Sequence, residues 1–160
     1  MTPQFKTTGI IGTGAMGRGI AQMAAQAGSQ VLLFDNQHQA SIAARDALFS
    51  QWDKLSEKGR LSVDQVASLR SRTVCVETLA DLAACDLAVE AIVERLDAKT
   101  GLFQSLEALV GADTVLVTNT SSLSVTAIAA QLRRPGRFAG LHFFNPVSYT
   151  HLTLPTNREV

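Results

Sequence analysis

The run Gly12-Thr13-Gly14-Ala15-Met16-Gly17 constrains this chain more than any other stretch. It follows a short apolar, β-rich segment, "TGII", and opens a stretch in which Met16, Ile20, Met23, Ala24 and Ala27 recur at helical spacing up to Gly28. A strand that turns at once into a helix needs its first glycine for the tight turn. The second lets the backbone approach a pyrophosphate, and the third lets the helix pack closely on the strand. The helix start then offers free N–H groups and the positive end of its dipole to an anion. The next apolar run, "QVLLFD", ends in Asp35, eighteen residues after Gly17, where a carboxylate can accept hydrogen bonds from ribose hydroxyls. That context makes the motif a dinucleotide fingerprint rather than a bare glycine turn. The charge of Asp35 would repel a 2′-phosphate, so NAD is expected over NADP.

Beyond Asp35 the pattern alternates. A long helical stretch spans residues 39–58, and "SVDQ" at 62–65 has the capping-box spacing that opens another helix to about Arg70. Further strands are expected at residues 73–77, 86–92, 114–120 and 137–144, with helices over 95–110 and 124–132 between them. Strands that are apolar throughout, separated by helices, indicate an α/β fold of the Rossmann type. This is a doubly wound, mostly parallel sheet with helices on both faces. One domain over residues 1–146 is expected.

With 46% hydrophobic and 18% charged residues, the 160-residue chain falls in the ordinary globular class. Fourteen basic residues balance fourteen acidic ones, so nothing points to nucleic acid or a membrane surface. The start, "MTPQFKTTGII", lacks a basic n-region and a long apolar h-region, which makes the cytoplasm the expected compartment. Cys75 and Cys85 sit in no metal-ligand or redox spacing and are read as core residues, and no metal is expected.

Three segments, "EAIVERLDAK", "TNTSSL" and "HFFNP", follow the fourth, fifth and sixth strands. Ligands of open α/β sheets bind beyond the carboxyl ends of the strands. Loops there would bring Glu94, Lys99, Asn119, Ser121, Ser122 and His142 near the nicotinamide end of the cofactor. Taken singly, Ser121 and Ser122 would be read as caps for the helix that begins near Ser124, and His142 as a core histidine. It is their joint placement that suggests a site.

These segments together resemble the NAD-binding domain of the L-3-hydroxyacyl-CoA dehydrogenases, including 3-hydroxybutyryl-CoA dehydrogenases. The resemblance runs from about residue 8 to Pro146 and rests on "IGTGAMGRGIAQ", "VEAIVERLDAK", "TNTSSLSVTAIA" and "RFAGLHFFNPV" as a set. It implies that Gly12, Gly14 and Gly17, with Ala15 and Met16 between them, form the phosphate turn, and that Asp35 holds the ribose. Glu94, Lys99 and Asn119 would surround the cofactor. Ser121 would hydrogen-bond the substrate's 3-oxygen, and Asn119 would stand with Ser121 and His142 at the reacting atoms. His142 would be the general base for the 3-hydroxyl proton, a task to which histidine as a residue type is suited. Lys58 resembles a coenzyme A phosphate contact. The implied partner is a 3-hydroxyacyl-CoA or 3-oxoacyl-CoA, and the implied full-length assembly is a homodimer formed through a C-terminal helical domain.

The end of the chain departs from that pattern. The family expects a glutamate twelve residues after the histidine to orient it, and Leu154 stands there. Loss of an orienting carboxylate costs on the order of 10⁴ in rate. "VSYTHLTLPT" back-translates to a string that resembles a sequencing-library adapter, so residues 147–160 are expected to be a non-native tail and the helical domain to be absent. The chain by itself is then expected to be inactive. The alternatives are a related hydroxyacid or sugar-acid dehydrogenase and a non-catalytic NAD-binding module, while the position of Met1 favours a stand-alone enzyme over part of a multifunctional polypeptide. Resequencing the source locus through the codon for Pro146, without adapter ligation, should show the frame continuing into a stretch like "P-x-x-x-L-V-E". A locus that encodes "SYTHLTLPTNREV" and stops would overturn the reading.

Overall fold

The computed structural model describes residues 4–144; the tail from residue 147, and Leu154 with it, lies outside the described residues. Six strands, β1 (Thr7–Ile11), β2 (Gln30–Phe34), β3 (Thr73–Cys75), β4 (Leu87–Glu90), β5 (Val115–Thr118) and β6 (Phe138–Gly140), form one sheet in the order β3-β2-β1-β4-β5-β6. Every pairing is parallel, with Ile10 level with Leu33 on one side and Val89 on the other. The chain winds outward from β1 to β3, crosses back to β4, and winds outward again, which is the doubly wound arrangement. That path leaves helices on opposite faces.

The alternation of the strands explains why both faces are apolar. Ile10, Leu33, Val89 and Val117 point to one side, where they meet α1 (Ala15–Gln26), α2 (His38–Glu57) and α3 (Val63–Ser71) through Ile20, Ala21, Leu48, Trp52 and Val66. Ile11, Ala88 and Leu116 point to the other, against α4 (Leu96–Leu109) and α5 (Val125–Ala129) through Phe103, Leu106 and Ile128. Phe103 meets Phe138 edge-on at 4.7 Å between ring centres. The Ser62–Gln65 capping box closes as its spacing predicts, at 3.1 and 2.8 Å. Cys75 and Cys85 are free thiols, and burial pushes that of Cys85 up to about 11. No described helix is long and apolar enough to cross a membrane.

Several elements end earlier than their patterns suggest, β4 and β5 by two residues each, and three others for a visible local reason. β3 stops at Cys75 rather than Glu77 because the Asp81 carboxylate accepts the N–H groups of Glu77 and Thr78, at 3.2 and 2.8 Å, and folds the chain into a 3₁₀ turn over Leu79–Leu82. α5 stops at Ala129, and the N–H groups of Arg133 and Arg134 go to Glu107 at 2.7 Å each, just before Pro135. β6 stops at Gly140. β5 has already ended at Thr118, so beyond Leu141 no strand remains beside it, and the Asn119 side chain accepts the Phe143 N–H instead, at 2.8 Å.

Gly101 stands inside α4, yet a Cβ there would meet no heavy atom within 4 Å. Gly101→Ala should therefore raise stability by about 1 kcal/mol through helix propensity alone. Thermal unfolding in the absence of cofactor should show a rise of roughly 2–4 °C.

Candidate functional site

The segments that leave β1, β2, β4, β5 and β6 at the carboxyl edge of the sheet contribute to one groove. At its centre β1 hands the chain to α1 through two glycines that no other residue could replace in place. Gly12 has φ of +89°, and a Cβ there would lie 2.6 Å from the Ala91 carbonyl oxygen. A Cβ on Gly17 would lie 1.8 Å from the Gly12 carbonyl oxygen, so α1 meets the turn backbone to backbone. Gly14 is different: it forms the N-cap of α1, and nothing lies within 4 Å of the position its Cβ would take. No side chain caps this helix, and its first turn carries no acidic residue. Its first N–H groups and its dipole are thus left for an anion, and the bare face of Gly14 leaves room for one.

Asp35, at the end of β2, is turned toward that loop. One carboxylate oxygen accepts from the Thr13 N–H and hydroxyl at 2.8 and 2.9 Å, and the other from the Gln37 N–H at 3.1 Å. A cavity of about 640 Å³ runs from Gly12, Thr13, Gly14 and Asp35 to Ala98 and Gly101 on α4. A second, of about 380 Å³, is lined by Met16, Glu94, Asn119, Ser121, His142 and Phe144. Ala91 and Ile92 line both, which makes the two cavities one groove around the start of α1.

The second half of the groove is organised by Glu94. Its Oε1 accepts from the Thr120 hydroxyl at 2.5 Å, from the Ser121 and Ser122 N–H groups at 2.9 and 3.1 Å, and from the Ser122 hydroxyl at 3.0 Å. The Ser121 hydroxyl lies 3.5 Å away. Lys99 Nζ is 3.2 Å from Oε2. Partial burial works to raise the pKa of Glu94, but the hydrogen bonds from Thr120, Ser121, Ser122 and Lys99 outweigh it and hold the carboxyl well below the usual range. His142 is exposed and meets the Phe144 ring edge-on at 4.6 Å. Asn119 fixes the segment that carries it, through the bond to the Phe143 N–H.

Residues 7–153 match the family model described as "3-hydroxyacyl-CoA dehydrogenase, NAD binding domain". The chain belongs to this family. It is 43% identical over 146 residues to the 3-hydroxyadipyl-CoA dehydrogenase of Escherichia coli K12, a match that covers 91% of this chain and 31% of that protein. The crystal structure of 3-hydroxybutyryl-CoA dehydrogenase from Escherichia coli K12 superposes with a TM-score of 0.88 at 42% identity, covering 91% of this chain and 31% of that one. (S)-3-hydroxybutyryl-CoA dehydrogenase from Ralstonia eutropha gives 0.87 at 36% identity, over 92% and 52%. The chain therefore spans between about a third and a half of the length of these relatives. The uncapped helix start, the open face of Gly14 and the inward carboxylate of Asp35 fit the NAD for which the family domain is described.

Within this 3-hydroxyacyl-CoA dehydrogenase domain, several residues assigned to the site line neither cavity, Lys99 and Lys58 among them. Lys99 is 1% exposed, its ammonium 2.6 Å from the buried carboxylate of Glu90, so it stands behind Glu94 and not against a ligand. Lys58 is exposed at the far end of α2, twenty residues from the helix start beside Asp35, or about 30 Å along the helix axis. Ala15 lines neither cavity, whereas Met16 lines the second. The motif reading also passed over three residues that build the site: Thr13, Glu90 and Thr120. Glu90 carried a signal, being a lone acid in the apolar run "LAVEAI". Lys99 carried another, falling in line with Phe103 and Leu106 on the inward side of its helix.

Two glycine substitutions should separate folding from binding. Gly17→Ala should destabilise the domain strongly, because its Cβ would overlap the Gly12 carbonyl. Gly14→Ala should leave the unfolding free energy within about 0.5 kcal/mol of the parent while weakening NADH binding, as read by nucleotide fluorescence.

Proposed function

We propose that this chain is the cofactor-binding part of an NAD-dependent dehydrogenase that interconverts L-3-hydroxyacyl-CoA and 3-oxoacyl-CoA. The observation that carries this reading is the wall that two cavities share: the one that contains Gly14 and Asp35 adjoins, across Ala91 and Ile92, the one that contains Asn119, Ser121 and His142. A module that only sensed dinucleotide would need the first half alone.

We assign the roles as the family resemblance implies them. The start of α1 receives the pyrophosphate, and Asp35 receives the ribose hydroxyls while disfavouring a 2′-phosphate. Bound NAD supplies the acceptor for the hydride that leaves C3 of the substrate. His142 takes the proton of the 3-hydroxyl, so that the alcohol becomes a ketone with one hydride and one proton removed. A histidine suits both directions because it changes charge near neutral pH. The Ser121 hydroxyl hydrogen-bonds the 3-oxygen, and Asn119, bonded to the Phe143 N–H, keeps the histidine segment against the serine loop. Leu154 stands where the family places the carboxylate that orients the histidine. The chain alone should therefore bind nucleotide without turning over acyl-CoA. In the complete enzyme, we place the acyl-CoA and a second subunit against the part that this chain does not span.

The chain should bind NADH in preference to NADPH, and Asp35→Ala should remove most of that preference. Residues 7–144, grafted in place of the matching segment of the Ralstonia eutropha relative, should support NAD-dependent oxidation of a 3-hydroxyacyl-CoA. In that graft His142→Gln should lower kcat by about 10²–10⁴ with little change in NADH affinity. A graft that binds NADH normally yet turns over no acyl-CoA would favour the non-catalytic reading.

A further inference from the structure

We propose that Glu90 and Lys99 are positioning residues: their buried ion pair holds the Glu94 carboxylate against the loop of residues 120–122, and so sets where Ser121 and Asn119 stand. The proposal deepens the dehydrogenase reading and rests on it for the roles of Ser121 and Asn119.

The pair is built to give direction rather than cohesion. Glu90 is 0% exposed, and both its oxygens are engaged. Oε1 accepts from Lys99 Nζ at 2.6 Å and from the Ile92 N–H at 2.7 Å, and Oε2 from the Thr118 hydroxyl at 2.6 Å. One carboxylate thus ties β4, β5 and α4 together at the level where all three enter the groove. Lys99 then shares its ammonium with Oε2 of Glu94, leaving Oε1 of Glu94 to collect the loop. The chain of contacts runs from the core outward: Glu90, Lys99, Glu94, then the Ser121 and Ser122 amides. If packing were the only need, apolar residues of similar volume would serve as well or better, since burying two charges costs about as much as their attraction returns. What an apolar pair could not supply is a cation fixed 3.2 Å from a half-exposed carboxylate.

The contact of Asn119 fits the same device. Its N–H bonds the Glu90 carbonyl at 2.9 Å, so backbone and side chain of Glu90 hold both ends of the step from β5 into the serine loop. The titratable groups around Glu94 are Lys99 from α4, Glu90 from β4 and His142 across the cavity, while the neighbouring Arg95 is engaged by Asp97.

The test uses the intact 160-residue chain and follows the Ser121 and Ser122 amide protons by NMR as pH is lowered. In the parent, Glu94 loses its charge only below the usual carboxylate range, so both signals should hold steady through pH 4.5, the ordinary value for a glutamate. Lys99→Met alone would strand the Glu90 charge in the core and unfold the protein. The double variant Glu90→Gln/Lys99→Met keeps acceptors and donors for Ile92 and Thr118 without any charge. It should melt near the parent temperature while its Ser121 and Ser122 amides titrate at a higher pH than in the parent and exchange faster with solvent. In the graft described above, the same double variant should lower kcat by about 10²-fold with KM for NAD little changed. Unchanged amide titration in a folded double variant would overturn the proposal, and so would unchanged kcat once the amides move. If the double variant does not fold, Glu94→Gln decides, because it leaves the buried pair intact: amides that stay fixed there would equally overturn it. A parent graft without acyl-CoA turnover would count against the proposed function alone, since the amide signals are read on the chain by itself.

Discussion

The groove exists because α1 can begin where it does, and that depends on backbone touching backbone at Gly12 and Gly17. With a side chain at Gly17, the helix would have to move outward by the width of a methyl group, and its first turn would no longer cover the end of β1. The parallel sheet adds the second condition. Its strands all end on one edge, so each connection that leaves β1, β2, β4, β5 and β6 has to emerge beside the start of α1. Loops that lie far apart in the chain are thereby gathered by topology, with no need to attract one another.

Charge is then distributed along that edge in a consistent way. The uncapped start of α1 leaves a positive potential at the middle of the groove. At one end Asp35 is held in place by the turn it faces, through Thr13, so this acid is fixed by the same loop that carries Gly12 and Gly14. At the other end Glu94 is wrapped in donors and kept ionised, across the cavity from His142. A groove arranged in this manner carries fixed negative charge at its two ends and none at the start of α1.

Much of this was legible in the chain. The order and face of the strands follow from apolar runs separated by amphipathic ones, and the turn motif, Asp35, Asn119, Ser121 and His142 all come to the edge expected for them. Three things were not legible, for separable reasons. Strand and helix ends at Cys75, Ala129 and Gly140 are set by side chains that capture single N–H groups, Asp81, Glu107 and Asn119, and propensity does not register such captures. The placement of Lys99 depends on which side of α4 faces the sheet. A lysine in an active-site motif suggests a ligand contact, and only the pairing of β4 with β5 shows a buried carboxylate waiting beneath it. Thr13 and Thr120 act through short hydrogen bonds to acids twenty-two and twenty-six residues distant, a relation without any local pattern.

The division of labour on α4 follows from the same geometry. One side of this helix meets the sheet through Phe103 and Leu106, and a second, through Ala98 and Gly101, forms a wall of the first cavity. Lys99 falls on the inward side near the helix start, at the height where β4 ends. An apolar residue at that height would pack, but it would leave Glu94 with the loop amides on one side and nothing on the other. A lysine reaches back to Glu90 and forward to Glu94 at once, because its ammonium carries three donors on a long stem. Two acids of like sign are thus held on either side of one cation, and the exposed acid inherits the rigidity of the buried one. Precision at an exposed loop is in this way drawn from the core rather than from the loop itself.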